Sequence, residues 1–210
     1  AWHTRHLLTH QNRSKRPLVL ISESPVRGGT QVFVYAKDRP SLFADIVSAF
    51  DMKSVNVVDA HIMTTKDGYL IDTFIVLEQD QSTIDSPQRR LDIKQTLERV
   101  ITKEQSLRAN TRRVPRQIKQ FQIAVGVRFM DAKSKQRDML EITALDTPGL
   151  LAKIAQVFKE QNILLYSAKI STIGEKAEDI FKISTVERTK LNEEQKKSLA
   201  QALKTKLNLS

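Results

Sequence analysis

Apolar residues along this chain switch between two spacings, and the switches mark out strands and helices. Residues 31–36 form a short run of β-branched and aromatic side chains, the pattern of a strand. Asp38-Arg39-Pro40-Ser41 interrupts it. Leu42, Phe43, Ile46, Val47 and Phe50 then recur at helical spacing, with Asp38 or Ser41 available as the cap. Residues 55–65 and 69–78 read as two strands joined through Lys66-Asp67-Gly68, where Asp-Gly is a hairpin signal. Ser86-Pro87 opens a second helix whose apolar side is Leu91, Leu97, Val100 and Ile101.

The same order returns further on. Residues 140–145 are strand-like, Asp146-Thr147-Pro148-Gly149 is the break, and Leu150, Leu151, Ile154, Ala155 and Phe158 make the helical stripe. Residues 163–172 and 177–187 predict strands joined around Gly174. Asn192 and Gln195, at capping-box spacing, open a helix with Leu199, Leu203 and Leu207 on one face. The recurrence is a sequence repeat, because residues 32–64 lie over 140–172 without a gap, 108 residues apart. Ten pairs are identical, among them Ala36/Ala144, Asp38/Asp146, Pro40/Pro148, Phe50/Phe158 and Thr64/Thr172. After a one-residue deletion the match resumes at Asp72/Asp179 and Phe74/Phe181. Two copies are too few for a solenoid, so the pattern predicts two small domains.

A βαββαβ module needs a fourth strand after its second helix, and the second copy shows none before Ser210. Extra apolar runs precede each copy instead, at 17–22 (PLVLIS) and 120–129 (QFQIAVGVRF). A strand that leads into the first by a hairpin can fill the slot of the last strand in a ferredoxin-like sheet. The expected fold is therefore α+β, with two tandem ferredoxin-like modules circularly permuted to ββαββα. They would occupy 17–101 and 120–210, with 102–119 a basic linker and 1–16 the tail of an upstream domain.

Composition narrows the function classes. No apolar run approaches the ~18 residues of a membrane span, and no signal-peptide pattern is present, so no membrane partner is expected. Cysteine is absent, which excludes disulfides and thiolate metal sites and predicts a cytoplasmic location. A net charge of +10 raises the question of nucleic acid. Its distribution answers it, because residues 1–30 carry +4 and 102–120 carry +5, while 31–101 stand at −3. The charge therefore lies mostly in connectors, solvated or serving as a docking strip for an acidic partner. RNA-recognition modules share the βαββαβ topology, but their strand-borne RNP pattern is missing, and nucleic acid is not expected as a partner.

Candidate chemistry is sparse. The phosphate-loop, dinucleotide and nucleophile-elbow motifs are all missing, so no catalytic residue and no cofactor are predicted for this chain. His3, His6 and His10 share one helical face, but no Asp, Glu or Cys completes a metal set. With Trp2 they read as a packing surface for a neighbouring domain, and no metal site is expected. His61 alternates with Ala60 and Ile62 and should face away from the apolar side. Asp72 and Asp179 recur at one strand position without a nucleophile or metal partner, which reads as a structural contact to an edge or to the neighbouring turn.

The segments DRPSLFADI, DAHIMTTKDGYLIDTFIVLE, ALDTPGLLAKIAQVF and AKISTIGEKAEDIF resemble ACT domains, the small-molecule sensing modules of amino-acid metabolism. Together with AWHTRHLL, PLVLIS and RGGT they resemble the C-terminal regulatory end of the bifunctional PII uridylyltransferase/uridylyl-removing family, over nearly the whole chain. The resemblance implies glutamine as effector and upstream nucleotidyltransferase and HD hydrolase domains with Mg as their metal. It further implies nitrogen signalling through PII as the modified partner, and a homo-oligomer formed by ACT pairing.

It also implies effector-binding turns at Asp146, Thr147, Pro148, Gly149, Leu150 and Leu151, and at Asp38, Arg39, Pro40, Ser41, Leu42 and Phe43. An exposed helix start suits a carboxylate, Gly149 lets backbone approach a ligand, and Asp146 or Asp38 can accept from an ammonium group. The same turns also read as proline-started, Asp-capped helices without a ligand, in a structural or protein-docking pair. Ser41 stands where the second copy has Gly149, which favours the second turn for binding.

Overall fold

A four-residue strand, β1 (Leu18–Ile21), leads into β2 (Thr30–Lys37) and pairs with it antiparallel from Leu18↔Tyr35 to Ile21↔Val32. Ser22 fastens the end of this hairpin, its N–H donating to Gln31 O at 2.8 Å and its Oγ accepting from Gln31 N at 2.9 Å. The computed structural model describes residues 17–39, 41–65, 67–102, 123–130 and 134–208, with the side chain of Ile173 excepted. It divides into two units, Ala1–Ala109 and Asn110–Ser210.

In the first unit α1 (Leu42–Met52) follows β2. Then come β3 (Asn56–His61), β4 (Tyr69–Leu77) and α2 (Pro87–Ile101), and the sheet runs β1-β2-β4-β3. The leading strand β1 thus holds the slot that a terminal strand would fill, as the permuted reading requires. Alternation places Val32, Val34, Ala36, Leu70, Phe74 and Val76 on one buried face. Against it lie Ile46, Val47 and Phe50 of α1 and Ile93, Leu97 and Val100 of α2. Phe50 meets Phe74 edge-on at 5.2 Å between centroids, and burying one such ring stabilises by about 1.5–3 kcal/mol.

The second unit repeats the plan with β5 (Gly126–Met130), β6 (Asp138–Leu145), α3 (Leu150–Glu160), β7 (Ile163–Lys169), β9 (Lys176–Thr185) and α4 (Glu193–Asn208). Its order is β5-β6-β9-β7, and a two-residue strand, β8 (Thr172–Ile173), pairs with β9. Phe158 and Phe181, the counterparts of Phe50 and Phe74, make the same edge contact at 5.2 Å. The bulge in each third strand falls at the same place, between Val57 and Asp59 and between Leu165 and Ser167. The starts of α2 and α4 follow the expected chemistry. Ser86 Oγ accepts from Arg89 N with Pro87 at the first position, and Asn192 and Gln195 exchange both bonds of a capping box.

Several boundaries differ from the sequence reading. The strand expected at 120–129 is shorter, Gly126–Met130, and residues 120–122 lie outside those described. The strands expected at 55–65 and 163–172 stop at His61 and Lys169, because the chain leaves the ladder before each hairpin and keeps only the Thr64↔Leu70 bridge and β8. Leu91, expected in the core, is 44% exposed. The core phase of α2 is instead Ile93, Leu97 and Val100, and Leu91 sits two residues ahead, about 200° round the helix. The tail 1–16, the histidines at 3, 6 and 10, and nearly all of the linker lie outside the described residues.

Candidate functional site

Each repeat turns from strand to helix through a tight four-residue bend. Leu42 N donates to Arg39 O at 3.2 Å, and Leu150 N to Thr147 O at 3.0 Å. The third residue of each bend is left-handed, Ser41 at φ 69°, ψ 5° and Gly149 at φ 78°, ψ 6°. These are the angles of a type II turn, with Pro148 at its second position and glycine preferred at its third. Pro40 lies outside the described residues.

The capping expectation fails for both helices. Neither α1 nor α3 has a side-chain cap. Asp38 and Asp146 are committed elsewhere: their N–H groups donate to Gly68 O and Glu175 O, tying the turn to the hairpin beside it. In α3 the Leu150 and Lys153 N–H groups are bonded to Thr147 O and Gly149 O. The helix start therefore offers Leu151 N–H and Ala152 N–H to an outside acceptor, together with the positive end of the dipole.

The hairpin brings up a hydroxyl and a second acid in each copy. Thr172 Oγ1 donates to Asp146 Oδ2 at 3.2 Å, and Thr64 Oγ1 donates to Asp38 Oδ2 at 3.4 Å. Asp179, 2% exposed, accepts from Ser171 N at 3.2 Å, and Asp72, 1% exposed, accepts from Met63 N at 3.3 Å. Burial pushes the Asp179 carboxyl up to about 7, against the Ser171 N–H and with some repulsion from Asp146. Burial likewise holds Asp72 well above the usual carboxylate range, with Met63 N–H opposing and Asp38 adding repulsion. Asp146 is exposed as a residue, yet its carboxyl is desolvated enough to be raised, the Thr172 hydroxyl working the other way.

The expected site residues thus divide by role. Asp38, Ser41, Asp146 and Gly149 line the bends. Leu42 and Leu150 send their side chains into the core, at 1% and 7% exposure, while Phe43, Leu151 and Pro148 are half-buried. Thr147 is buried, and its counterpart Arg39 donates to Asp45 Oδ2 at 2.6 Å and to Val100 O at 3.1 Å. Thr64 and Thr172 were missed, although their identity in the repeat was a usable signal. Asp45 and Lys153 were also missed, being a pair whose charges are opposite. His61 is exposed, as expected. Among the described residues no group of three or more His, Asp or Glu side chains is placed to hold a metal ion, and no helix is long and apolar enough to cross a membrane.

The strand order and the leading first strand define each unit as a ferredoxin-like module permuted to ββαββα. The chain is a tandem pair of them. It is 45% identical over 97% of its length to the bifunctional uridylyltransferase/uridylyl-removing enzyme of Vibrio cholerae serotype O1. Against the enzyme of the same description from Vibrio parahaemolyticus it is 46% identical over 99%. The chain is homologous to a C-terminal portion of these enzymes and spans about a quarter of their length, 23% and 24% respectively. No family model matches. Among solved structures it is similar to aspartate kinase from Synechocystis, with a TM-score of 0.48 and 17% identity over 85% of this chain and 27% of that one.

Proposed function

We propose that this chain is a glutamine-sensing regulatory region that adjusts uridylyltransferase and uridylyl-removing activities carried by other domains of the same protein and directed at PII. The observation that carries the reading is the charge layout of the second turn. Asp146 offers a carboxylate for an α-ammonium group. The Leu151 and Ala152 N–H groups and the dipole of α3 offer an anion site in the same helical turn as Lys153. A free amino acid carries both complementary charges, and an amide side chain adds none. The names of the relatives supply the two activities. Mg, which the resemblance implies, belongs to those other domains in this reading.

Control follows if glutamine binds one arrangement of the protein better than another, since only differential affinity shifts an equilibrium. Pairing of ACT modules into a homo-oligomer in the cytoplasm is the natural setting for such a shift. Calorimetric titration of the 210-residue chain with glutamine tests the reading. Saturable binding that weakens by about 10- to 100-fold in Asp146→Asn is expected, and no binding at millimolar glutamine would overturn it. A docking or structural role is favoured for the first turn alone, where the Arg39 guanidinium already ties Asp45 to the end of α2.

A further inference from the structure

Asp72 and Asp179 have so far been no more than buried strand residues, yet each lies beside an effector turn and each is tethered in the same way. One oxygen of each accepts a single hairpin N–H. Asp72 Oδ2 is buried without any partner, and the hydrogen bond seen at the Asp179 carboxyl is the one from Ser171 N–H to Oδ1. A buried carboxylate held by one donor is unfavourable unless a proton or a cation completes it. The surroundings of Asp179 supply little else. Ile142 stands opposite on β6, Ala177 and Phe181 flank it on the same face of β9, and the hairpin brings Ser171 and Thr172. The turn brings a like charge, Asp146, and the first turn of α3 carries one ionisable side chain, Lys153.

We infer that the amine-binding group of the second turn is the pair Asp146–Asp179, in which the inner acid holds a proton until an ammonium group arrives at the outer one. The inference rests on the glutamine reading above and specifies its chemistry. A bound ammonium offsets the Asp146 charge and so removes its repulsion of Asp179, which favours the ionised form. The O–H bond of Asp179 then breaks and its proton passes to solvent, with no other bond made or broken. Uptake of the effector and release of this proton are therefore linked. The pair requires a cation, so an N-acetylated or deaminated analogue of glutamine should gain nothing from Asp179. Asp72 and Asp38 form the corresponding pair under the first turn.

Calorimetry of the 210-residue chain with glutamine at pH 6, 7 and 8, in two buffers of different ionisation enthalpy, counts the protons. About half a proton should be released per glutamine near pH 7, and close to none at pH 8. Affinity should fall by up to about tenfold per pH unit below 7. Asp179→Asn keeps an oxygen for Ser171 N–H. It should abolish the proton release, flatten the pH profile and weaken binding at pH 8 by about tenfold. Asp72→Asn should leave all three unchanged for the second turn. Binding without proton release, or release that survives in Asp179→Asn, overturns the pair and leaves glutamine sensing intact. Absence of binding at every pH overturns both. If Asp179→Asn does not fold, the proton count of the unmodified chain decides alone.

Discussion

The two turns share a backbone and oppose each other in charge. Both bends have a left-handed third residue, both carry an aspartate bonded by a hairpin threonine, and both sit beside a buried acid. In the first, however, an acid (Asp45) occupies the opening turn of α1, and Arg39 closes on it from the bend with a 2.6 Å ion pair. In the second the matching positions hold Lys153 and Thr147. A negative side chain at a helix start competes with an anionic ligand for the dipole, and a positive one assists it. Duplication thus preserved the scaffold while substitution reversed the charge at the helix start: Asp45, paired with Arg39, in one copy and Lys153 in the other.

The largest expected effect concerns what the bends share. The folded-state pKa of Asp179, about 7, exceeds its unfolded value, so the folded chain binds more protons across the interval from pH 4 to 7. Stability should be fully present below pH 4 and decline as pH rises, by at most about 4 kcal/mol from this residue above pH 7. Asp72 shifts in the same direction and should act with the same sign. Urea unfolding of Asp179→Asn and Asp72→Asn should therefore show stabilisation at pH 8 that vanishes at pH 4. If both variants are destabilised at pH 8, the acids are charged and paired, and the shared description fails.

Next comes the ligand. Asp146→Asn should weaken glutamine binding by about 10- to 100-fold, the value of a hydrogen bond to a charged group, while Asp38→Asn should leave the first binding event unaltered. Equal losses would show two equivalent turns. The charge reversal itself is tested by exchange. Lys153→Asp should cost the second turn about three- to tenfold in affinity, and Asp45→Lys should raise any affinity of the first. The smallest effect belongs to the left-handed residue. Gly149→Ser should lower stability by roughly 1 kcal/mol and Ser41→Gly should recover a similar amount, read as shifts in the urea midpoint. A larger side chain such as valine at 149 is a poor probe of ligand access, since φ 78° strains it whether or not a ligand is present.

Much of this is legible in the sequence. The repeat exposed the two modules, and the apolar runs at 17–22 and 120–129 exposed the permutation, because both are carried by spacing alone. The turns were found for the same reason, through Asp, Pro and Gly at fixed offsets. What the bends contain was harder to read. A cap and a hairpin bond are equally open to an aspartate, and only the left-handed third residue, which turns the helix start away, decided against the cap. Asp179 and Asp146 stand 33 residues apart, and nothing local joins them. Their proximity comes from the β6–β9 register, which no short-range pattern specifies. Leu91 misled because a helix stripe read from a few apolar letters can lock onto the wrong phase.

The leading strand of each module has a kinetic consequence. In the unpermuted order, the strand beside β2 would arrive only after α2, more than sixty residues further along the chain. Here β1 meets β2 across 11 to 17 residues, from Ile21↔Val32 to Leu18↔Tyr35, so the pairing is closed by a local hairpin. Closing a shorter loop forfeits less chain entropy, and local pairing of this kind forms in about 1–10 μs. Lower contact order speeds folding across small domains. A nascent chain can therefore lay down the edge of each sheet before the helix that will cover it has been made.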